Sequence, residues 1–213
     1  MDSREAIERD LADSIMAQTD AVAKWHVHEP ENIDAADAAD GSASLRTLVL
    51  AQHLMNFRLW HTEDIARRKD VDAVVIADCK YRIDILNQRR TDAFEAVDAY
   101  LVDRLSRFLP VLPEGQRARH NTESLGMAVD RLSILALKIY HMGEQARRGD
   151  VDENHSKTCT AKLAILEEQR SDLVQAVFGL IDDFCVGTKR PKAYYQFKMY
   201  NDPNLNPQLY AKK

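Results

Sequence analysis

The sequence predicts an all-α fold: an up-down four-helix bundle made of two duplicated helical hairpins, with an extra N-terminal helix and an irregular, aromatic C-terminal tail. One observation is an internal repeat, in which residues 59–72 (LWHTEDIARRKDVD) recur as residues 139–152 (IYHMGEQARRGDVD) with seven of fourteen positions identical. The same shift of 80 residues aligns residues 79–92 with 159–172, which indicates a repeated structural unit. The other is that apolar residues recur every three to four positions in long segments with few glycines or prolines.

The elements follow one another along a single domain of residues 1–213, a length that is able to bury a core. Residues 1–26 predict an amphipathic helix, and residues 27–44, which are acidic and rich in small side chains, predict a loop. The remaining elements are a first hairpin over 45–109 with helices at about 45–69 and 71–109, a second hairpin over 122–186 with helices at about 123–148 and 151–186, and a tail over 187–213.

The same motif, Ala-Arg-Arg-x-Asp-Val-Asp, joins the two helices of each hairpin. Arginine is favoured at the negative C-terminal end of a helix, and aspartate accepts hydrogen bonds from the free N–H groups that begin the next one. We therefore interpret the arginines of this motif as structural, namely Arg67, Arg68, Arg147 and Arg148. Short joints make each hairpin antiparallel, and two antiparallel hairpins pack as a four-helix bundle.

Composition and charge argue against several functional classes. The net charge is −5 and basic residues alternate with acidic ones, so the chain lacks the basic surface expected of a nucleic-acid-binding protein. No apolar segment approaches the length of a membrane span, and the charged N-terminus is unlike a secretion signal. Three cysteines, set far apart, are typical of reduced thiols and predict a cytoplasmic protein. A homo-oligomer is compatible with these features.

Charged residues interrupt the apolar faces of the predicted helices at repeated positions. Each hairpin is expected to contribute an inward histidine, an acid three residues later and an inward arginine: His61, Asp64 and Arg90 in the first copy, and His141, Glu144 and Arg170 in the second. An unpaired buried charge is costly, so these groups must satisfy one another or a ligand.

Three interpretations of these residues stay open. In the first, the arginines pair with Asp64 and Glu144 in a buried network that only fixes the register of the bundle. In the second, the two arginines converge on an anion such as phosphate or carboxylate. In the third, a divalent metal ion is bound, since di-iron bundles use a related Glu-x-x-His spacing. The metal ligands would then be His61, Asp64, His141 and Glu144.

Positions at which the two copies differ nominate further residues. Glu63 and Asp130 have no acidic equivalent in the other copy, so both are candidate acid–base groups beside the two histidines. The candidate catalytic residues are His61, Glu63, Asp130 and His141, and the candidate ligand-binding residues are Arg90, Arg170, Arg131, Lys138 and Lys198.

A second acidic pattern, Glu95-x-x-Asp98, matches half of the helical magnesium motif of the four-helix nucleotide pyrophosphohydrolases. Its repeat equivalents are Gln175 and Phe178, and no glutamate-rich partner motif stands on the preceding helix. The pattern is therefore a weak indication of that activity.

The C-terminal tail, residues 190–210, lies outside the repeat and is rich in aromatic residues. Its Asn-Asp-Pro and Asn-Pro sequences favour turns over helix. We expect the tail to lie along the bundle and bury its aromatic faces, with Lys198 directed toward whatever the tail covers.

Several motifs together resemble one bacterial family. They are Leu-Trp-His-Thr-Glu-Asp at 59–64, Ile-Leu-Asn-Gln-Arg-Arg at 85–90, Asp-Arg-Leu-Ser-Ile-Leu at 130–135 and Gln-Phe-Lys-Met-Tyr-Asn-Asp-Pro at 196–203. In this combination the chain is similar to the family catalogued as domain of unknown function 4254, over nearly all that follows the N-terminal helix. The resemblance implies a cytosolic all-helical protein, and no catalytic residue carries over because the family has no assigned activity.

These features predict a helical bundle with an interior histidine, acid and arginine site that binds an anionic small molecule, such as a phosphorylated sugar or nucleotide. The enzymatic form of this hypothesis is a hydrolase or transferase that depends on a divalent metal. The alternative is a non-catalytic interaction or scaffold protein, in which the same residues form a structural network. A binding site predicts a cavity lined by these side chains, whereas a scaffold predicts that they are paired and sealed.

Overall fold

Five long α-helices, one short α-helix and a 3₁₀ turn make up the structure, with no β-strand in the part of the chain that is described. The computed structural model describes residues 3–33, 43–197 and 199–210, except for the side chain of Tyr200. The helices are α1 (Arg4–Val27), α2 (Leu45–Ala66), α3 (Ala73–Ser106), α4 (Leu125–Ala146), α5 (Glu153–Cys185) and α6 (Pro207–Tyr210). The all-α class is confirmed. Lys198 and residues 34–42 of the acidic loop lie outside the described residues.

The long helices begin where the sequence offers a capping side chain. In four of them the residue before the first turn accepts a hydrogen bond from the backbone N–H three positions later, which satisfies a donor that has no partner within the helix. These caps are Ser3, Ser44, Ser124 and Asp152. None of the described helices has the length and apolar character that a membrane crossing requires.

The two joints between paired helices have matching ion pairs. Arg68 contacts Asp70 at 2.8 Å in the first joint, and Arg148 contacts Asp150 at 2.7 Å in the second. Both pairs are exposed, so each contributes little to stability and serves mainly to shape the turn. Helix α4 begins 80 residues after α2, and α5 begins 80 residues after α3. This offset equals the spacing of the sequence repeat.

The most central helix is α4, which is also the most apolar of the five long helices. It packs against α1, α2, α3 and α5, while α2 packs against α1, α3 and α4. Aliphatic side chains that are almost inaccessible to solvent fill the space between these helices: Leu11, Val49, Val97, Leu101, Val129, Leu132 and Ile181. Removing this apolar surface from water is the main force that holds the helices together.

Helix α1 belongs to this core together with the two hairpins. Its apolar face, from Ile7 and Leu11 to Val22, is buried against α2 and α4. At its C-terminal end Val22 packs with Phe57 of α2 and Leu137 of α4. The end of α1 is therefore held where the later turns of α2 and α4 meet.

The aromatic side chains of the C-terminal tail that the structure describes are exposed, so the expectation that the tail buries them is wrong. Tyr195 is 62% exposed and Phe197 is 85% exposed. A polar contact attaches the tail instead, because the backbone N–H of Gln196 donates to Glu95 at 2.7 Å. The next residues form turns, with backbone hydrogen bonds such as that from the N–H of Asn206 to the carbonyl of Asp202.

Candidate functional site

A buried polar network lies at the contact of α2, α3 and α4. Asp130 is only 4% exposed, and its carboxylate accepts hydrogen bonds from Gln52, from Asn56 at 2.9 Å and from Nε of Arg90 at 2.7 Å. A second bond from the Arg90 guanidinium makes that pair bidentate. We call the following six residues the Asp130 network: Gln52, His53, Asn56, Arg90, Asp130 and Ser133.

The charges inside this network neutralise one another. Hydrogen bonding to Asp130 raises the pKa of Arg90, so the guanidinium stays charged beside the carboxylate. Burial lowers the pKa of His53 to about 3, and the neutral ring lies 2.7 Å from the Ser133 hydroxyl through Nδ1. A paired carboxylate and a neutral imidazole are what a stable buried network requires.

The two repeated arginines do not converge. The Arg170 guanidinium lies against α1, where it donates to the Thr19 hydroxyl at 3.1 Å and to the Ile15 carbonyl at 3.3 Å. Among the described residues no carboxylate pairs with Arg170, and burial lowers its pKa. Arg90 faces the Asp130 network, so the hypothesis of one anion site formed by both arginines is not supported.

The acids expected to pair with these arginines lie elsewhere. Asp64 and Glu144 are both exposed, because each lies in the last turn of its helix, where the apolar stripe has ended. The predicted pairs Arg90–Asp64 and Arg170–Glu144 are therefore wrong. The acid that pairs with Arg90 is Asp130, from the other hairpin.

Three histidines come together near the C-terminal ends of α1, α2 and α4. His61 of α2 and His141 of α4 are repeat equivalents, and their ring centroids are 5.7 Å apart. His26, from the end of α1, lies 5.0 Å from the first ring and 4.9 Å from the second. One ring nitrogen of each histidine lies within 4.8 Å of the other two. We call these residues the three-histidine cluster.

Outer contacts orient two of the rings. Nδ1 of His26 lies 2.7 Å from the Val22 carbonyl oxygen, and Nδ1 of His141 lies 2.9 Å from a carboxylate oxygen of Glu144. These contacts leave Nε2 as the nitrogen that is available on both rings. Nε2 is buried and has no hydrogen-bond partner in all three histidines.

Aromatic rings surround the cluster. Tyr140 stacks on His26 with ring centroids 4.4 Å apart, and Trp60 stacks on His141 at 4.8 Å. Burial, together with the two neighbouring histidines, lowers the pKa of His61 and so favours its neutral form. Neutral imidazole is the form that ligates metal ions.

The structure revises the predicted metal ligands. His61 and His141 are brought together as expected, but Asp64 is exposed and takes no part. Glu144 contacts the His141 ring rather than offering itself as a ligand of the same cluster. His26 was missed, although it follows Val22 by four residues and so continues the apolar face of α1. That spacing was the available signal.

A groove beside α4 brings together most of the other nominated residues. It consists of three adjoining cavities of about 320, 320 and 620 Å³, each sharing lining residues with the others. The first lies against α2 and α3, the second beside the Asp130 network, and the third between α4 and α5. We call it the α4 groove. The nominated residues that line it are Glu63, Asp64, Arg90, Asp130, Arg131 and Lys138.

Ion pairs offset much of the charge in the α4 groove. Glu63 pairs with Arg67, and Arg131 contacts Glu123 at 2.7 Å. The third cavity is lined by Arg131 and Lys138 with one acid, Asp172. Since Arg131 already pairs with Glu123, Lys138 is the lining cation that has no acidic partner among the described residues. The α4–α5 end of the groove is thus where a lysine ammonium is available to a ligand.

The four candidate catalytic residues do not form one constellation. Glu63 lines the groove, Asp130 is held within its network, and the two histidines belong to the three-histidine cluster. Trp60 connects these regions, because it stacks on His141 and also lines the first cavity of the groove.

The acidic pair on α3 is structural in this fold. Asp98 is 1% exposed and accepts a hydrogen bond at 2.7 Å from the backbone N–H of Gly126, in the first turn of α4. A Cβ atom on Gly126 would approach the Phe94 carbonyl oxygen to 2.2 Å, so α3 and α4 are in close contact here. Glu95 contacts the tail backbone. Neither acid is arranged as a magnesium ligand of the pyrophosphohydrolase type.

Comparison with known proteins gives a family but no characterised relative. No curated protein and no solved structure matches the chain. The matched residues, 46–193, include all but the first residue of α2, the whole of α3 to α5, His61 and His141, and every residue that lines the α4 groove except Gln196, while His26 precedes them. The model that matches is described as a protein of unknown function, DUF4254, and the chain belongs to that family.

Proposed function

We propose that this protein binds a small phosphorylated molecule, of the sugar phosphate or nucleotide type, in the α4 groove. The observation that carries the proposal is that six polar residues nominated from the sequence line this one groove. Residues from α2, α3, α4 and α5 contribute to it, so the groove joins the two hairpins. Concave surfaces between packed helices are common ligand sites in helical bundles.

The anionic group would lie between Arg131 and Lys138. These residues are seven positions apart on α4 and therefore project from the same face, about 10 Å apart along the helix. Lys138 has no acidic partner in the described structure, and Arg131 can exchange Glu123 for the anionic group of a ligand, so the two residues favour a ligand of negative charge. The rest of the ligand would extend to the first cavity, where Asn56 and Trp60 offer an amide and an aromatic face.

The roles of the acids differ from those expected. Glu63 is partly exposed in the groove and can exchange a proton with a bound ligand. Asp130 accepts from three side chains, so proton transfer at this carboxylate would break the network. A hydrolase or transferase acting in this groove would therefore use Glu63 rather than Asp130 as its acid–base group.

The pairing inside the Asp130 network favours a second candidate function, a non-catalytic scaffold. Its charged members satisfy each other, as a purely structural network would. A scaffold requires no ligand in the α4 groove. Ligand binding therefore discriminates between the two functions.

The experiment is a calorimetric titration of the protein with sugar phosphates and nucleotides, each paired with its unphosphorylated form. We expect binding of phosphorylated compounds only, weakened about tenfold or more by Arg131→Gln or Lys138→Gln, because each removes a charge-assisted contact. Lys162→Gln is the matched control, since this lysine is exposed on α5 and does not line the groove. Binding that is equal in all three variants would contradict the proposal, and absence of any binding would favour the scaffold.

We further infer that the two hairpins arose by duplication into a two-fold bundle, to which α1 was added. The helix starts are offset by the repeat length, and the repeated histidines meet at the contact of α2 and α4. Arg90 and Arg170 have different surroundings because α1 covers Arg170.

A further inference from the structure

We propose that His26, His61 and His141 bind one divalent transition-metal ion of the zinc type. This site is separate from the α4 groove and does not depend on a ligand there. Three elements that are distant in sequence each place one imidazole in the cluster, with ring nitrogens within 4.8 Å. Among the described residues no other group of three histidines, cysteines or acids is close enough to share an ion.

Three unpartnered nitrogens on three adjoining rings distinguish a ligand site from packing, since the unpartnered atoms elsewhere, such as Nε2 of His53, are not grouped as three donors of one type. Eight buried side-chain atoms in the described residues lack a hydrogen-bond partner, and three of them are the Nε2 atoms of this cluster. Buried polar atoms are nearly always paired in folded proteins, so three unpaired ones at a single point call for a shared partner. A metal ion accepts all three lone pairs at once.

The outer contacts are those of a metal site. A ligating imidazole typically directs its other nitrogen to a carbonyl or carboxylate, which fixes the ring and increases its basicity. His26 does so with the Val22 carbonyl, and His141 does so with Glu144. Both contacts involve Nδ1, which leaves Nε2 as the nitrogen that is free to ligate.

Imidazole donors select the class of ion. Three histidines without a carboxylate or thiolate suit Zn²⁺, Cu²⁺ and Ni²⁺, whereas Mg²⁺ and Ca²⁺ require oxygen ligands. Zinc–nitrogen bonds of about 2.1 Å place the nitrogens of a tetrahedral site about 3.4 Å apart. Since the nitrogens lie within 4.8 Å of one another, binding requires the spacing to close by at most about 1.4 Å through ring movements. Three protein ligands also leave a fourth position for water or another small ligand.

The experiment uses the full chain, freed of any affinity tag and stripped with a chelator, then titrated with Co²⁺ and Zn²⁺. We expect one Co²⁺ per chain with the visible absorption of a tetrahedral site, displaced by Zn²⁺ and not by Mg²⁺. His26→Ala, His61→Ala and His141→Ala should each weaken binding by at least about 100-fold, because loss of an outer partner alone costs about 10- to 100-fold.

Two further variants keep the test decisive. His28→Ala is the matched control, since this histidine is exposed two residues after His26 and should bind the ion as wild type does. Glu144→Gln changes an exposed carboxylate without disturbing the core, and it should weaken binding about tenfold. The proposal is overturned if wild type gives no tetrahedral Co²⁺ spectrum, or if Glu144→Gln and the three alanine variants bind as tightly as His28→Ala.

Discussion

The Asp130 network and the three-histidine cluster are both buried and polar, yet they resolve their polarity in different ways. In the network, a carboxylate and a guanidinium satisfy each other across two hairpins, and only two uncharged buried atoms, Oε1 of Gln52 and Nε2 of His53, have no hydrogen-bond partner. In the cluster, three ring nitrogens approach one another and none has a partner. Burial of polar groups does not by itself identify a site. A set of converging, unsatisfied atoms of one chemical type is the more specific signal.

The two pairs of repeated residues, the histidines and the arginines, also differ in where the fold places them. His61 and His141 occupy equivalent positions and meet, whereas Arg90 and Arg170 occupy equivalent positions and separate. Equivalence in sequence therefore predicts a shared location only for residues near the axis that relates the two copies. Substitution of a group that stabilises the fold should lower the free energy of unfolding, whereas substitution of a group that binds a ligand should mainly weaken ligand binding.

The largest expected effect on stability is at the centre of the Asp130 network. Asp130→Asn should lower the free energy of unfolding by about 3 kcal/mol, because it leaves the mostly buried Arg90 without its counter-charge. Asp64→Asn is the control, since that acid is exposed, and it should change stability by less than about 0.5 kcal/mol. Urea unfolding of both variants measures the difference. An equal loss of unfolding free energy in the two variants would mean that Asp64 neutralises the charge of Arg90.

The neutral ring of His53 should make the network sensitive to acid. Its pKa is about 3 when folded, while the unfolded ring takes up a proton below about pH 6.5, so stability is lost as the pH falls through this range. Between pH 7 and pH 5 this residue should contribute a loss of about 2 kcal/mol. His53→Asn should remove that share of the pH dependence of urea unfolding. An unchanged slope in the variant would show that the ring is already charged or exposed.

A smaller effect is expected at Arg170, which has no acidic partner in the described structure. Arg170→Met should cost less than about 1 kcal/mol, because it replaces a half-buried cation that is paired only with neutral oxygens. The equivalent change Arg90→Met should cost several times more, since it leaves Asp130 buried and unpaired. If denaturant midpoints show the two changes to be equal, the asymmetry between the copies is wrong.

The helices could be predicted from the sequence because their signals are local. Apolar periodicity and the 80-residue repeat place all five long helices within about three residues of their observed ends. Pairing between helices depends on how each helix is rotated, which no local pattern encodes. Arg90 therefore received the wrong partner, since Asp130 is 40 residues away on another hairpin.

The candidate site was predicted in part for the same reason. His61 and His141 could be nominated because the repeat marks both. His26 lies outside the repeat, on a helix whose docking position only the fold reveals. Asp64 and Glu144 were placed inward because the apolar spacing was extended by one turn beyond the end of the buried face.

The central claim is that the cluster is a metal site and the network is not, and zinc-dependent stability tests it most directly. At a free zinc concentration about 100 times the dissociation constant, binding should add about 2.7 kcal/mol to the free energy of unfolding. Asp130→Asn should begin less stable and still gain this amount, whereas His26→Ala should gain nothing. A zinc gain that persists in His26→Ala, or that disappears in a folded Asp130→Asn, would contradict the account.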